Sequence, residues 1–187
     1  MNNKMKKQMY KMRQEGNRLI DLINDLPNDI TMIEIGCYAG ESMDLFMASG
    51  KIKHYYAVDI WSVPDRLLDS LNTQKSIEKS VYENIAIAEK LFDEKASKYQ
   101  NLTKLKMNIK EALKHLPKVD FIYIDGDHCF EAVDFDIKYA KKRIKRGGLI
   151  GGHDYHKGFG GVVRAVDSHF PDVEKKKYKD TSWLIKL

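Results

Sequence analysis

Apolar residues recur at helical spacing from Met5, Met9 and Met12 through Leu19, Ile20, Leu22, Ile23 and Leu26, and the run stops at Pro27. That period predicts an amino-terminal helix, interrupted near Gly16, lying over the sheet or over a ligand. Thr31 to Ile35 is β-branched and apolar with one acid, Glu34, and reads as a buried strand. Gly36 then opens a turn, and a helix runs from Glu41 to Ala48. His54 to Ile60 is a second strand. Ser62 to Thr73 carries Pro64 and no period, which predicts a loop at the ligand edge and a candidate lid. Ile77, Val81, Ile85, Ala88 and Phe92 mark an amphipathic helix ending near Ser97. Leu102 to Met107 is a short strand, Ile109 to Leu116 a helix and Val119 to Ile124 a central strand. Phe130, Val133, Ile137, Ala140 and Ile144 define the next helix, with Gly147-Gly148 as its stop. A strand over Leu149 to Gly151, a glycine turn at Gly158 to Gly161 and a helix over Val162 to Phe170 follow. Val173 to Tyr178 and Ser182 to Leu187 close the chain as a hairpin turning at Lys179-Asp180. Strands alternating with helices predict a doubly wound, Rossmann-like α/β fold, mostly parallel with an antiparallel end.

A glycine turn leaving the first strand is where such a fold binds its ligand. A P-loop needs Gly-Lys-Ser/Thr at the helix start, but here Glu41 stands between Gly40 and Ser42. A dinucleotide fingerprint needs a middle glycine so that pyrophosphate can touch backbone, and that position is Tyr38. An acid-lined turn without a phosphate grip suits a cationic cofactor with hydroxyls, and S-adenosylmethionine is one. Asp59 lies 23 positions past Gly36 at the tip of the second strand, placed to accept hydrogen bonds from ribose. Trp61 is placed to stack on adenine. Asn108, at the tip of the third strand, either binds adenine through its amide or caps the following helix.

The fourth strand ends in Asp125-Gly126-Asp127-His128 and the fifth in Gly152-His153-Asp154-Tyr155-His156. Two neighbouring tips therefore gather three acids and three histidines, a nitrogen and oxygen set fit for a divalent cation or for proton transfer.

Composition narrows the setting. With 187 residues, 43% hydrophobic and 32% charged, the chain suits one domain: residues 1–27 as a cover helix and 31–187 as the core. No stretch reaches the roughly 18 apolar residues of a membrane span. The Lys-rich amino end lacks the apolar run of a signal peptide, so a cytoplasmic location is expected. Cys37 and Cys129 form neither a disulfide framework nor a zinc pattern and read as free thiols. The net charge of +5 comes largely from Lys141 to Arg146 and Lys175 to Lys179. Without interleaved aromatics these read as solvated faces, and nucleic acid is not the expected partner.

Glu34-Ile-Gly-x-x-x-Gly-x-Ser42, Ala57-Val-Asp-Ile-Trp61, Ile124-Asp-Gly-Asp-His128, Gly147-Gly-Leu-Ile-Gly-Gly-His-Asp-Tyr155 and Gly161-Val-x-x-Ala-Val-Asp167 occur in order along the chain. Together they resemble a group of small class I S-adenosylmethionine-dependent methyltransferases. The resemblance implies a seven-stranded sheet with the last strand antiparallel. It implies cofactor binding by Glu34, Gly36, Gly40, Asp59 and Trp61, with Tyr38, Ser42, Ile60, Asn108 and Asp125 completing the set. The group is similar in turn to metal-dependent O-methyltransferases of the catechol and antibiotic-sugar types. By that likeness Asp125 and Asp154 are metal ligands, and His153 replaces a hard oxygen ligand between them. A nitrogen donor favours cations softer than Mg²⁺, so Mg²⁺, Mn²⁺ and Fe²⁺ all stay open. His128 falls where the catechol-type enzymes carry a catalytic lysine, and with Asp125 it forms the expected catalytic pair. The expected activity is O-methylation of a small hydroxylated acceptor. The alternatives are a metal-dependent oxygenase or hydrolase on the same scaffold, similar to cephalosporin-hydroxylase-type proteins, and a nucleic-acid-binding protein that keeps the fold.

Overall fold

The computed structural model describes residues 19–63 and 75–187, with backbone alone for 75–82. The methionine stripe of residues 5–12, the break near Gly16 and most of the expected lid lie outside the described residues. Seven strands form one sheet: β1 (Ile30–Ile35), β2 (Ile52–Asp59), β3 (Leu102–Lys106), β4 (Val119–Ile124), β5 (Ile144–Gly152), β6 (Lys176–Lys177) and β7 (Trp183–Lys186). Their order is β3-β2-β1-β4-β5-β7-β6. All neighbours from β3 to β5 are parallel, and β7 is antiparallel to both β5 and β6. The fold is therefore the expected mostly parallel, Rossmann-like α/β sheet. Strand order runs outward from β1 in one direction and from β4 in the other, so the crossovers part between these two strands. The crevice above their carboxyl ends is the natural ligand site.

The two-residue period of each strand sorts its side chains into two cores. Ile33, Ile35, Ile122 and Ile124 pack under α4 (Ile109–Ala112), α5 (Phe130–Ala140) and α6 (Gly160–His169). Met32, Tyr55, Phe121 and Tyr123 pack on the opposite face against α1 (Leu19–Asp25), α2 (Glu41–Ala48) and α3 (Lys75–Ala96). Leu19, Leu22 and Ile23 of α1 are buried in this second core, which accounts for the apolar side of that helix.

Two expectations about element boundaries change. The helix read from Phe130 through Ile144 ends at Ala140, and Ile144 already pairs with Val119 as the first residue of β5. Gly147 and Gly148 do not stop a helix. They lie inside β5, where the register shifts between Val119 and Phe121 and Gly147 takes φ +74°, so they absorb a bulge. The helix read over Ile109 to Leu116 is a single α turn continued by a 3₁₀ turn, Leu113–His115. No described helix is long and apolar enough to cross a membrane.

Candidate active site

Gly36 carries the turn at the tip of β1, with φ +86°. A Cβ at this position would lie 2.4 Å from the Asp125 carbonyl oxygen and 2.5 Å from Gly126 Cα. Glycine is required here because the tips of β1 and β4 touch, and Asp125 N–H donates to the Ile35 carbonyl at 2.8 Å. This contact seats the glycine turn beside the acid of the fourth strand.

The polar backbone groups of the turn are nearly all satisfied by protein. Asp59 Oδ2 accepts from Cys37 N–H at 2.8 Å and Tyr38 N–H at 2.9 Å, and its Oδ1 accepts from Trp61 N–H at 2.8 Å. Trp61 Nε1 donates to the Tyr38 carbonyl at 2.8 Å, and Lys95 Nζ to the Ala39 carbonyl at 2.7 Å. Three non-glycine residues at the strand tips take left-handed backbone conformations: Tyr38 (φ +44°), Trp61 (+40°) and Asp154 (+60°). Such conformations cost about 1–3 kcal/mol each and persist where surrounding contacts over-determine them.

A cleft of about 1090 Å³ opens over these tips. Gly36, Tyr38, Ser42, Asp59, Ile60, Trp61 and Asn108 line it at one end, and Asp125, His128, His153 and Asp154 line it at the other. Glu34, Gly40 and Trp61 do something other than expected, and Asn108 takes the second of its two expected roles. Glu34 does not line the cleft: its strand position points it into the second core, fully buried, where it accepts a hydrogen bond from Ser42 Oγ. Burial, with the fields of Asp125 and Asp59, pushes its carboxyl well above the usual range, so Glu34 is not the exposed negative charge read at the turn. Gly40 caps α2 with φ +73°, and its missing side chain admits Phe92 and Met43. Trp61 is 5% exposed; its ring packs on Phe92 at 4.8 Å between centroids, and Lys104 Nζ sits 4.5 Å from it. The indole is thus a buried brace for the turn rather than an open stacking surface. Asn108 Oδ1 accepts from Glu111 N–H at 3.0 Å, which makes it the cap of α4.

At the other end, of the six acids and histidines read into the crevice, Asp125, His128 and Asp154 converge. Each can offer a ligand atom lying within 4.8 Å of the other two. His128 Nε2 is 2.8 Å from Asp154 Oδ2, and His153 Nδ1 is 3.2 Å from Asp154 Oδ1. His153, expected as a ligand beside Asp125 and Asp154, lies outside this converging set and pairs with Asp154 instead. Asp127 Oδ1 accepts from Cys129 N–H at 3.0 Å, and His156 Nδ1 from Gly158 N–H at 3.2 Å; both close local turns. The hydrogen bond to Asp154 raises His128 above the ordinary histidine value, against burial. Burial of His153 opposes charge, but Asp154 and the field of Asp125 outweigh it and push His153 up to about 9. Asp154 is held well below the carboxylate range, because the hydrogen bonds from His128 and His153 outweigh its desolvation. The histidine expected to be unperturbed at position 128 is therefore shifted upward by its partner Asp154.

Two further residues serve the site without belonging to any motif: Lys95, which holds the turn from α3, and Asp136, which lines the cleft from α5. The signal for Asp136 was present. It sits three residues after Val133 and four before Ala140, in register with the buried stripe of α5.

The chain belongs to the methyltransferase-domain family, which it matches over residues 33–155, a span holding both the glycine turn and the Asp154 tip. A protein of Acanthamoeba polyphaga mimivirus is 26% identical over 156 residues, which are 81% of this chain and 64% of the viral protein. The chain therefore spans a little under two thirds of that relative's length. Among solved structures, a candidate rRNA methylase from Clostridium thermocellum aligns with a TM-score of 0.60 at 14% identity, covering 94% of this chain and 95% of that one. The O-methyltransferase NovP aligns at 0.59 and 16% identity, over 96% and 79% of the two chains. A precorrin-6y C5,15-methyltransferase from Geobacter metallireducens aligns at 0.54 and 17% identity, over 86% and 80%. At these identities the likeness is one of fold.

Proposed function

We propose that the chain transfers the methyl group of S-adenosylmethionine to a hydroxyl of a small acceptor, with a divalent cation at Asp125, His128 and Asp154. The observation that carries this reading is the convergence of those three donors at one end of the cleft whose other end is the glycine turn. In the transfer a carbon–oxygen bond forms as the sulfonium carbon–sulfur bond breaks, and the sulfur keeps the electron pair as a thioether. The hydroxyl proton must leave. Alignment of oxygen, carbon and sulfur is the main task, worth up to about 7–11 kcal/mol.

Two carboxylate oxygens and one imidazole nitrogen fit a divalent cation, and the nitrogen favours Mn²⁺ or Fe²⁺ over Mg²⁺. When bound, such a cation lowers the pKa of a coordinated hydroxyl. His153, hydrogen-bonded to the Asp154 carboxylate, fixes which way that ligand faces. His128 fits the ligand role better than the base role expected from the resemblance. Its ring nitrogen converges with carboxylate oxygens of Asp125 and Asp154 on one point, where it would hold a cation as the neutral imidazole.

The fold likeness to NovP, an O-methyltransferase, agrees with a hydroxyl acceptor. A nucleic-acid acceptor is less well supported, because the basic clusters are tied to protein groups. Lys145 pairs with Asp120 at 2.7 Å, Lys176 with Asp25 at 2.6 Å, and Lys141 and Lys142 lie over Phe170 and Tyr139. The test is methyl transfer from labelled cofactor to catechols, sugars and RNA, with Mg²⁺, Mn²⁺, Fe²⁺ or a chelator. Transfer to a small hydroxylated compound that the chelator abolishes is expected. Transfer to RNA alone would reject the small acceptor, and turnover without the cofactor would favour the oxygenase or hydrolase alternative.

A further inference from the structure

Asp136 is an acid of the cleft that the transfer chemistry leaves without a task. It projects from α5, half-buried, and no hydrogen bond or ion pair to it exists among the described residues. Its Oδ2 lies 3.3 Å from where a Cβ on Gly126 would stand, so the absent side chain at the β4 tip makes room for this carboxyl. A half-buried carboxyl with no protein partner keeps its acceptor oxygens available to whatever fills the cleft. Burial, reinforced by the nearby Asp59, pushes Asp136 from its ordinary value of 3.8 to about 7.

Its surroundings say what that ligand is. Ile60, Met107, Ile109 and Phe135 line the same cleft and offer apolar surface to a flat ring. Asp59, which acts on Asp136 electrostatically, marks the ribose end, and three backbone amides already occupy most of its acceptor capacity. Asn108, the other candidate for contact with the ring, uses its carbonyl oxygen to cap α4.

We infer that Asp136 recognises the adenine of the cofactor, its carboxyl oxygen accepting a hydrogen bond from the exocyclic amino group beside an apolar slot. In its protonated form the same carboxyl also donates to the adjacent ring nitrogen, the paired pattern by which a carboxamide reads adenine. The inference rests on the reading that S-adenosylmethionine occupies this cleft.

The test uses titration calorimetry on the full chain with two ligands, S-adenosylhomocysteine and its analogue whose purine lacks the 6-amino group. The wild type is expected to prefer the adenine ligand by about tenfold or more. Asp136→Ala should bind the two ligands alike, chiefly by losing affinity for the first. Asp136→Asn should keep most of the preference, since its amide oxygen accepts the same bond. Thermal melts establish that each variant is folded; if the alanine variant is not, Asp136→Leu takes its place. Tight binding with an unchanged preference in the alanine or leucine variant would overturn the assignment and leave the cofactor reading standing. A wild type that binds neither ligand would overturn both.

Discussion

The two ends of the cleft are built on opposite principles. At the β1 and β2 tips the polar backbone groups of the turn are held by Asp59, Trp61 and Lys95, the aromatic brace is buried, and the acid beneath is shielded from charge. At the β4 and β5 tips, His128 and His153 both pair with Asp154, Asp125 converges on the same point, and the His128 side chain is 41% exposed. The first end is a preformed socket, which lowers the ordering cost of binding. The second keeps its charges adjustable, as a site must if it is to receive a cation, an acceptor and a released proton in turn. The difference teaches that the glycine turn is held in shape by bonds to its backbone, while the other end is organised by side-chain charge.

The contrast can be broken most severely at the point where the two ends touch. Gly36→Ala would drive a Cβ into the Asp125 carbonyl from a backbone at φ +86°. A loss of stability above about 3 kcal/mol is expected, read by chemical denaturation, together with loss of cofactor binding. A variant of wild-type stability would show that the two tips move independently.

The next effects belong to the adjustable end alone. His128→Ala and Asp125→Asn should each lower kcat by about 10² to 10⁴ while cofactor affinity stays within about threefold. Both should weaken Mn²⁺ binding, as measured by electron paramagnetic resonance, and excess metal should restore part of the His128→Ala rate. If His128→Ala leaves Mn²⁺ affinity unchanged but removes the acidic limb of the rate profile, the histidine is a base and not a ligand.

Asp59→Ala sharpens the other side. Loss of an acceptor for three backbone amides should weaken S-adenosylhomocysteine binding about tenfold or more and cost about 2–4 kcal/mol of stability. An Asp59 that served ribose alone would change affinity and leave the melt untouched. The smallest effect separates Asp136 from both groups. Because its folded value is raised from 3.8 to about 7, the fold retains a proton that the unfolded chain has released across that window. The stability contributed by Asp136 is therefore greatest below pH about 4 and declines until pH about 7. Asp136→Asn should abolish this decline, so it gains about 1–2 kcal/mol over the wild type at pH 8 and little at pH 4 in cofactor-free denaturation. Parallel curves at both pH values would show that the carboxyl is not perturbed.

Much of the architecture was legible because it depends on local period. The helix over Glu41 to Ala48 and the strand over Val119 to Ile124 lie where their apolar spacing put them. The glycine turn, the acid 23 residues later and the two charged tips were also readable, since an open α/β sheet places its ligand at strand ends. The misreadings share one cause. Ile144 continues the helical spacing of α5, yet pairing with Val119 claims it for β5, and only the neighbouring strand decides that. Trp61 is as large and flat as an adenine platform should be, but Phe92 and Lys104 arrive from α3 and β3 to cover it.

By itself, then, the chain's order of residues determined its elements, the face each presents to a core and the strand tips that carry charge, because these follow from spacing within a few residues. Only the tertiary structure decided which of those charges meet. Asp154 binds His128 from a different strand, Asp59 is drawn into the turn of β1, and Asp136 is brought beside Gly126 by the packing of α5. Burial, hydrogen-bond partners and the proton affinities that follow from them are properties of neighbours distant in sequence, and no local pattern encodes them.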